Sequence, residues 1–485
     1  MESLGIDFGT TNSAAVAWSL GKMYNIGEND QPLPSVLAIH KITGEVYSIG
    51  MAAREHRELL GAKCEVISSV KSYLAQADKT WSIGPSVWKP ENVAAEIIKQ
   101  LRNQVSARLA LGDKKMKAVF SIPVGCSMGQ RRTLRRAAQL AGIEISSFIS
   151  EPTAALCRHF NDPEVRQWSK VAVFDWGGGT LDISIVQISD DVVTEIATYG
   201  RHLGGDNLDR KLAEYLHGQI MTQRGTALPF TAVPPEHRDL LIQRAERAKI
   251  DLGGADEVTV GLLDYCGSPA RIQLSIDTML RLFEPFMIDA FEAFKHTVHE
   301  QAQCSFDEIG CLLMVGGTSK IRGLSGFFRH RGWPNHIKHP PDGDWNIAQG
   351  AAINALNPGS YVAGQNFGLV VSDGSYFPLI HDGQMIRIND GAQQYFGLVE
   401  DSSEARLVFA QPKGMNGHLK GAALETLGYL TVPAYGFSNE PIALKTWIDE
   451  NLVVNVRSHS TRHASQQRDW HFEKLRFRYK LAVPV

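Results

Sequence analysis

The sequence predicts an α/β protein of two related lobes with a cleft between them, followed by a smaller all-β, sandwich-like domain. Three observations carry that expectation. Asp7-Phe8-Gly9-Thr10-Thr11-Asn12 is echoed by Asp175-Trp176-Gly177-Gly178-Gly179-Thr180, and such an echo marks a repeated unit. Strand-like and helix-like patterns alternate after each copy, which favours mixed sheets covered by helices. Beyond Gly359 helical periodicity largely disappears, and short alternating apolar runs between Gly, Asp and Asn turns take over.

Each copy of the phrase follows a short apolar run (4–6 and 171–174) and leads into an alternating one (14–18 and 181–188). Each predicts a β-hairpin with a Gly/Thr-rich turn and an acid at the end of its first strand. One such turn is commonplace; two facing each other would form a nucleotide clamp. Glycines let the backbone approach phosphate oxygens, amides and threonine hydroxyls donate hydrogen bonds, and the two aspartates can hold a hydrated Mg²⁺.

The elements follow in order. After the first hairpin, 91–111 predicts an amphipathic helix with Val93, Ile97, Leu101, Val105 and Leu109 on one face. A buried-type strand at 118–123 closes on Pro123, and a basic helix at 130–141 stops at Gly142. At 148–156 a strand end turns into a helix, with Pro152 suited to its start. In the second half, 204–221 predicts a helix with acids near its positive end. Another helix falls at 240–252, a strand at 310–315 broken by Gly316-Gly317, and a small-residue helix at 350–356 stopped by Asn357-Pro358-Gly359. The β region offers strands at 366–371, 376–380, 395–399 and 405–409, and two more within 442–456 around Asp449-Glu450-Asn451. The expected domains are 1–358 and 366–485, joined by 359–365.

Composition narrows the setting. The length of 485 residues fits about two to four domains. Apolar residues at 44% can fill more than one core, and a net charge of −3 gives no global field for nucleic acid or an anionic membrane. The start lacks a basic leader pattern, and no apolar run approaches a bilayer span. The six cysteines are scattered without Cys-x-x-Cys, as in a reduced, cytoplasmic protein.

Ile6 to Ser13, Ile122-Pro123 before Gln130-Arg131, Ala141-Gly142-Ile143, Glu151-Pro152-Thr153-Ala154-Ala155, Asp175 to Asp182, His202-Leu203-Gly204-Gly205-Asp206, Glu246 to Leu252 and Val315-Gly316-Gly317 occur in this order. In that combination, over roughly residues 3 to 358, the chain resembles the 70-kDa heat-shock chaperone family. The resemblance implies an actin-like (ribonuclease H-like) ATPase domain, with ATP/ADP and Mg²⁺ as cofactors. It implies that Asp7 and Asp175 organise the metal, and that Gly9, Thr10, Thr11, Asn12, Gly177, Gly178, Gly179, Thr180, Gly204 and Gly205 cradle phosphates. Lys71 would stabilise charge on the transferred phosphoryl group, and Glu151, Asp175, Thr180 and Asp182 would act with it. The base would sit near Glu246, Lys249, Gly253, Gly316, Gly317, Thr318 and Lys320, with Asp344 in the metal shell. Glu246 and Lys249, one turn apart, also describe a solvated pair. Lys320 stands where the family carries arginine, removing a planar stacking surface. The 442–456 hairpin looks like the family's peptide-binding β subdomain.

Other signals are weaker. His296 and His299 near Cys304 lack a His-Glu-x-x-His pattern and a second ligand pair, so surface histidines are the simpler reading. The basic, aromatic tail from Arg457 to Lys480 could bind nucleic acid, but its alternation also describes the two faces of a strand. The joint at 357–365 lacks the family's leucine-rich docking surface, and the β region leaves no room for the family's helical lid. Two functions are therefore expected. One is an ATP-driven chaperone acting on extended hydrophobic peptide or a dedicated protein client, with a J-domain co-chaperone and nucleotide-exchange factor as partners and neither membrane nor nucleic acid. The other is an ATP-sensing scaffold whose β domain holds one dedicated protein or nucleic-acid partner.

Overall fold

The computed structural model describes residues 2–55, 63–112, 114–358, 360–399, 401–412 and 423–481. Gly359 of the predicted joint, with 413–422 and 482–485 of the β region, lies outside the described residues. The chain divides into two compact units. The first comprises Met1–Gly125, Thr133–Ile188 and Glu195–Leu356, and the second Cys126–Arg132, Ser189–Thr194 and Asn357–Val485.

The first unit contains two sheets of matching plan. In one, the central strand Ser3–Asp7 runs antiparallel to Asn12–Ser19, which carries Lys22–Ile26, and parallel to Met116–Ile122, itself parallel to Ile143–Ser150. In the other, Lys170–Trp176 runs antiparallel to Leu181–Ser189 and parallel to Cys311–Val315, itself parallel to His336–Lys338. Val192–Arg201 lies beyond Leu181–Ser189. Both copies of the repeated phrase thus start at the C-terminal end of a central strand. These strands have near-continuous apolar runs because both sheet faces are covered; Val171, Ala172, Val173 and Phe174 are all buried.

Helices bring the chemistry to these strand ends. Glu151–His159 begins at Ser150, whose hydroxyl accepts the Thr153 N–H, with Pro152 in the first turn. Asn346–Leu356 packs on this helix and on Ser3–Asp7. Contact there is backbone to backbone, since a Cβ on Gly350 would lie 1.7 Å from the Ala154 carbonyl oxygen. Pro90–Leu109 buries Val93, Ile97, Leu101 and Val105 of the predicted face, while Leu109, at the helix end, is only half-buried. On the second sheet, Gly205–Gln223, Pro235–Asp251 and Ile276–His296 bury Leu212, Leu241 and Phe294 with Phe174 and Trp176. The sequence pattern assigns no element to 255–296, where the structure has the hairpin Glu257–Tyr265 and Ser268–Ser275 and the helix Ile276–His296. Pro285 inside that helix breaks the helical signal.

The second unit is a β-sandwich. One sheet has the order Tyr376–Ile380, Phe367–Val370, Glu404–Pro412, Leu424–Pro433; the other, Gly391–Gly397, Pro441–Ile448, Val454–Ser460, Arg468–Phe472. Neighbours are antiparallel throughout. Inward residues of both sheets share one core, in which Phe409 stacks on Trp470 at 4.3 Å and on Phe367 at 5.8 Å. Trp470 and Phe472 therefore line a strand's inner face. Ser360–Ala363 forms a strand paired with Phe477–Lys480, and Val362 and Ala363 are buried. The run Tyr361-Val362-Ala363 is too short to show alternation, and its partner lies near the far end of the sequence. Val192 and Val193, in the short segment that the second unit takes from mid-chain, pair with Lys480 and Tyr479.

Candidate functional site

Within the first unit the two hairpin turns meet. A Cβ on Gly178 would lie 2.5 Å from Thr11 Oγ1, and one on Gly179 would lie 3.7 Å from Thr10 Cγ2. The first turn is tied down by Ser35, whose Oγ donates to the Gly9 carbonyl at 2.9 Å and whose N–H donates to Thr11 at 2.8 Å; Asn12 starts its outgoing strand opposite Pro34. The second turn closes through the Gly177 N–H on the Thr180 carbonyl at 2.9 Å. Two further turns converge on it. The N–H groups of Gly205 and Asp206, following Gly204, donate to the Gly177 and Gly178 carbonyls at 3.0 and 2.7 Å. Thr318 Oγ1 donates to the same Gly177 carbonyl at 2.8 Å. Gly316 has φ +81°, and a Cβ there would lie 2.4 Å from Asp175 Oδ1, so glycine is required on both counts.

Behind the turns lies a cluster of acids with one cation. Lys71 Nζ donates to Glu151 Oε1 at 2.7 Å, both side chains being largely buried. Ser121, level with Asp7 on the parallel neighbouring strand, donates its hydroxyl to Asp7 Oδ1 at 2.7 Å. Asp175 and Asp182 face each other across the second hairpin. Burial first, with Glu151 adding to it and Lys71 opposing, lifts Asp7 to about 6. Asp182 also rises to about 6, through burial and Glu151 against the Thr180 hydroxyl and Lys71. Asp175 is pushed well up by burial and then by Glu151, Asp182 and Asp7. So much uncompensated negative charge is what a bound cation would relieve. Hard carboxylate oxygens suit magnesium, which keeps several waters and takes one or two protein carboxylates beside phosphate oxygens. Among the described residues no group of three or more His, Cys, Asp or Glu side chains is arranged to hold a metal ion.

The remaining predicted residues lie in local pairs. Glu246 pairs with Arg54, and Lys249 with Asp209 at 2.8 Å, so the helical neighbours are not paired with each other. Burial raises Asp209 to about 7 against the pull of Lys249. Lys249 also borders the glycine turns, 3.0 Å from where a Gly205 Cβ would stand. Lys320 pairs with Asp344 at 2.5 Å, and a Cβ on Gly317 would lie 3.6 Å from Asp344 Oδ1. Gly253 follows the Pro235–Asp251 helix, its N–H on Ile250 at 3.0 Å.

Residues 3–362 match the family model described as Hsp70 protein. This chain belongs to the Hsp70 family. Among its relatives are the proteins named chaperone protein DnaK of Thermotoga petrophila and of Thermotoga neapolitana, each 32% identical over 370 residues, covering 73% of this chain and 59% of the relative. That of Thermosipho africanus is 31% identical over 364 residues, covering 73% and 58%. The chain thus spans about three fifths of the length of these relatives. The Hsp70 match ends at residue 362, before the sandwich strands beginning at Phe367.

Three contacts of this Hsp70 site escape the sequence. Ser121 meets Asp7 only once the parallel strand order is known. Arg54 reaches Glu246 across a separation of 192 residues, and Asp209 holds Lys249 between two helices. Asp209 alone leaves a local signal, as an acid buried on a largely apolar helix face.

Proposed function

We propose that the first unit is a slow, magnesium-dependent ATPase and that its nucleotide state controls how the sandwich holds an extended hydrophobic peptide or a protein client. The observation that carries this reading is the meeting of the two duplicated hairpin turns in front of the Lys71–Glu151 pair and the aspartates. In this reading the turns of Gly9 to Asn12, Gly177 to Thr180 and Gly204-Gly205 cradle the phosphates through threonine hydroxyls and those backbone N–H groups that the turns do not use themselves. Bound Mg²⁺, held by Asp7 and Asp175, supplies charge neutralisation of the phosphates. Lys71 stabilises negative charge on the transferred phosphoryl oxygens. Glu151, fixed by its ion pair with Lys71, and Asp182, fixed by Thr180, orient the attacking water and accept its proton. Glu246, Lys249 and the Gly316 to Lys320 turn, with Gly253 nearby, border the base and ribose. The relatives' printed names support a chaperone cycle; its setting in the cytoplasm, with a J-domain protein and an exchange factor as partners, belongs to the proposal.

A second reading rests on one observation, the end of the family match at residue 362. It makes the sandwich a holder for one dedicated partner under the same ATP-binding unit. Peptide-array binding with ATP and with ADP separates the two. Binding to many extended apolar peptides, weakened by ATP, supports the chaperone; binding to none supports the scaffold.

A further inference from the structure

The helix that begins at Glu151 is capped in an unusual way. Ser150 Oγ accepts the Thr153 N–H at 3.3 Å, the ordinary N-cap bond. That leaves the serine proton and the Thr153 hydroxyl proton to be satisfied. Both go to one atom: Glu195 Oε1, on the strand Val192–Arg201, accepts from Ser150 Oγ in a very short contact and from Thr153 Oγ1 at 2.8 Å. With its proton fixed on Glu195, the serine hydroxyl keeps a lone pair aimed at the Thr153 N–H. Between the two hydroxyls in this first turn stand Pro152 and Glu151, and the Glu151 carboxylate holds Lys71 Nζ at 2.7 Å.

We infer that Glu195 is a positioning residue for hydrolysis, locking the first turn of this helix so that Glu151 and Lys71 stand at the reacting phosphate. The inference rests on the ATPase reading above. Glu195 has no assigned part in phosphate or metal binding, and its own two bonds are to the cap. Its carboxyl is desolvated and raised by burial, while the two hydroxyls pull it back, so an acid kept here is costly unless its acceptor oxygen is needed. A small displacement of a reacting group is enough to slow chemistry without loosening the ligand.

The test uses the full chain and compares Glu195→Ala, Glu195→Gln and Glu151→Gln in single-turnover ATP hydrolysis and ATP affinity. Glu195→Ala is expected to lower the hydrolysis rate about tenfold while ATP affinity stays within about twofold, since only the positioning of the chemical step is altered. Glu195→Gln keeps the accepting oxygen and is expected to restore most of the rate. In the Glu195→Ala background, Thr153→Val should cost little more, because the two act as one unit. Wild-type hydrolysis in Glu195→Ala, with Glu151→Gln inactive, overturns the inference alone. The same holds if Glu195→Gln folds yet is as slow as Glu195→Ala. Absence of hydrolysis in the wild-type protein overturns the ATPase reading and this inference with it.

Discussion

Asp7 and Asp182 are the residues whose environment differs most usefully from water. Each is shifted from 3.8 to about 6, chiefly by burial, and for Asp7 this is on the order of 3 kcal/mol. The sign is set by the proton. Below about pH 4 folded and unfolded chains both carry it and nothing is lost. As pH rises through about 6 the folded chain must ionise acids that the unfolded chain ionised already, so stability falls. In magnesium-free buffer the first unit should therefore melt at lower temperature at pH 8 than at pH 5, and Asp7→Asn should shrink that difference. Magnesium with nucleotide should restore more stability at pH 8 than at pH 5. An Asp7→Asn variant with the full wild-type pH difference would show that Asp7 is not strained by burial.

At the scale of elements, the close approach of the two hairpin turns makes a selective prediction. A methyl on Gly178 would press on Thr11 Oγ1 at 2.5 Å, whereas one on Gly177 would meet nothing nearer than 3.7 Å. Gly178→Ala should weaken ATP binding by about 1 to 3 kcal/mol, the usual cost of overpacking, and Gly177→Ala should leave it within twofold. Equal effects in calorimetry would mean that the gap between the turns is not set by this contact. In the sandwich, Phe409 is fully buried between Phe367 and Trp470. Phe409→Ala should cost about 3 to 5 kcal/mol of that unit's stability, with hydrolysis by the first unit retained. The hairpins, the Glu151 helix and most sandwich strands were legible because each carries its own periodicity and turn residues. Whatever depended on strand order was not: Ser121 beside Asp7, Ser360–Ala363 on Phe477–Lys480, and the network through Glu195 join residues far apart in sequence. The helix Ile276–His296 escaped for a local reason, an internal proline tolerated by tertiary packing.

At the scale of the whole molecule, nucleotide control requires a partner to bind one nucleotide state better than the other. ATP is expected to weaken peptide or client affinity by about 1 kcal/mol relative to ADP, at the lower end of coupling energies. A Thr180→Ala variant, expected to slow turnover, allows that affinity to be measured in the ATP state. Equal affinities with a partner that does bind would leave only the scaffold. Both schemes need ATP held at the paired hairpins and the chaperone cycle needs its hydrolysis there, which single-turnover hydrolysis of ATP by Lys71→Ala tests most directly. Removing a cation that meets the transferred phosphoryl group should cut the rate at least about a hundredfold while ATP still binds. Hydrolysis at the wild-type rate in that variant would contradict the nucleotide-site reading.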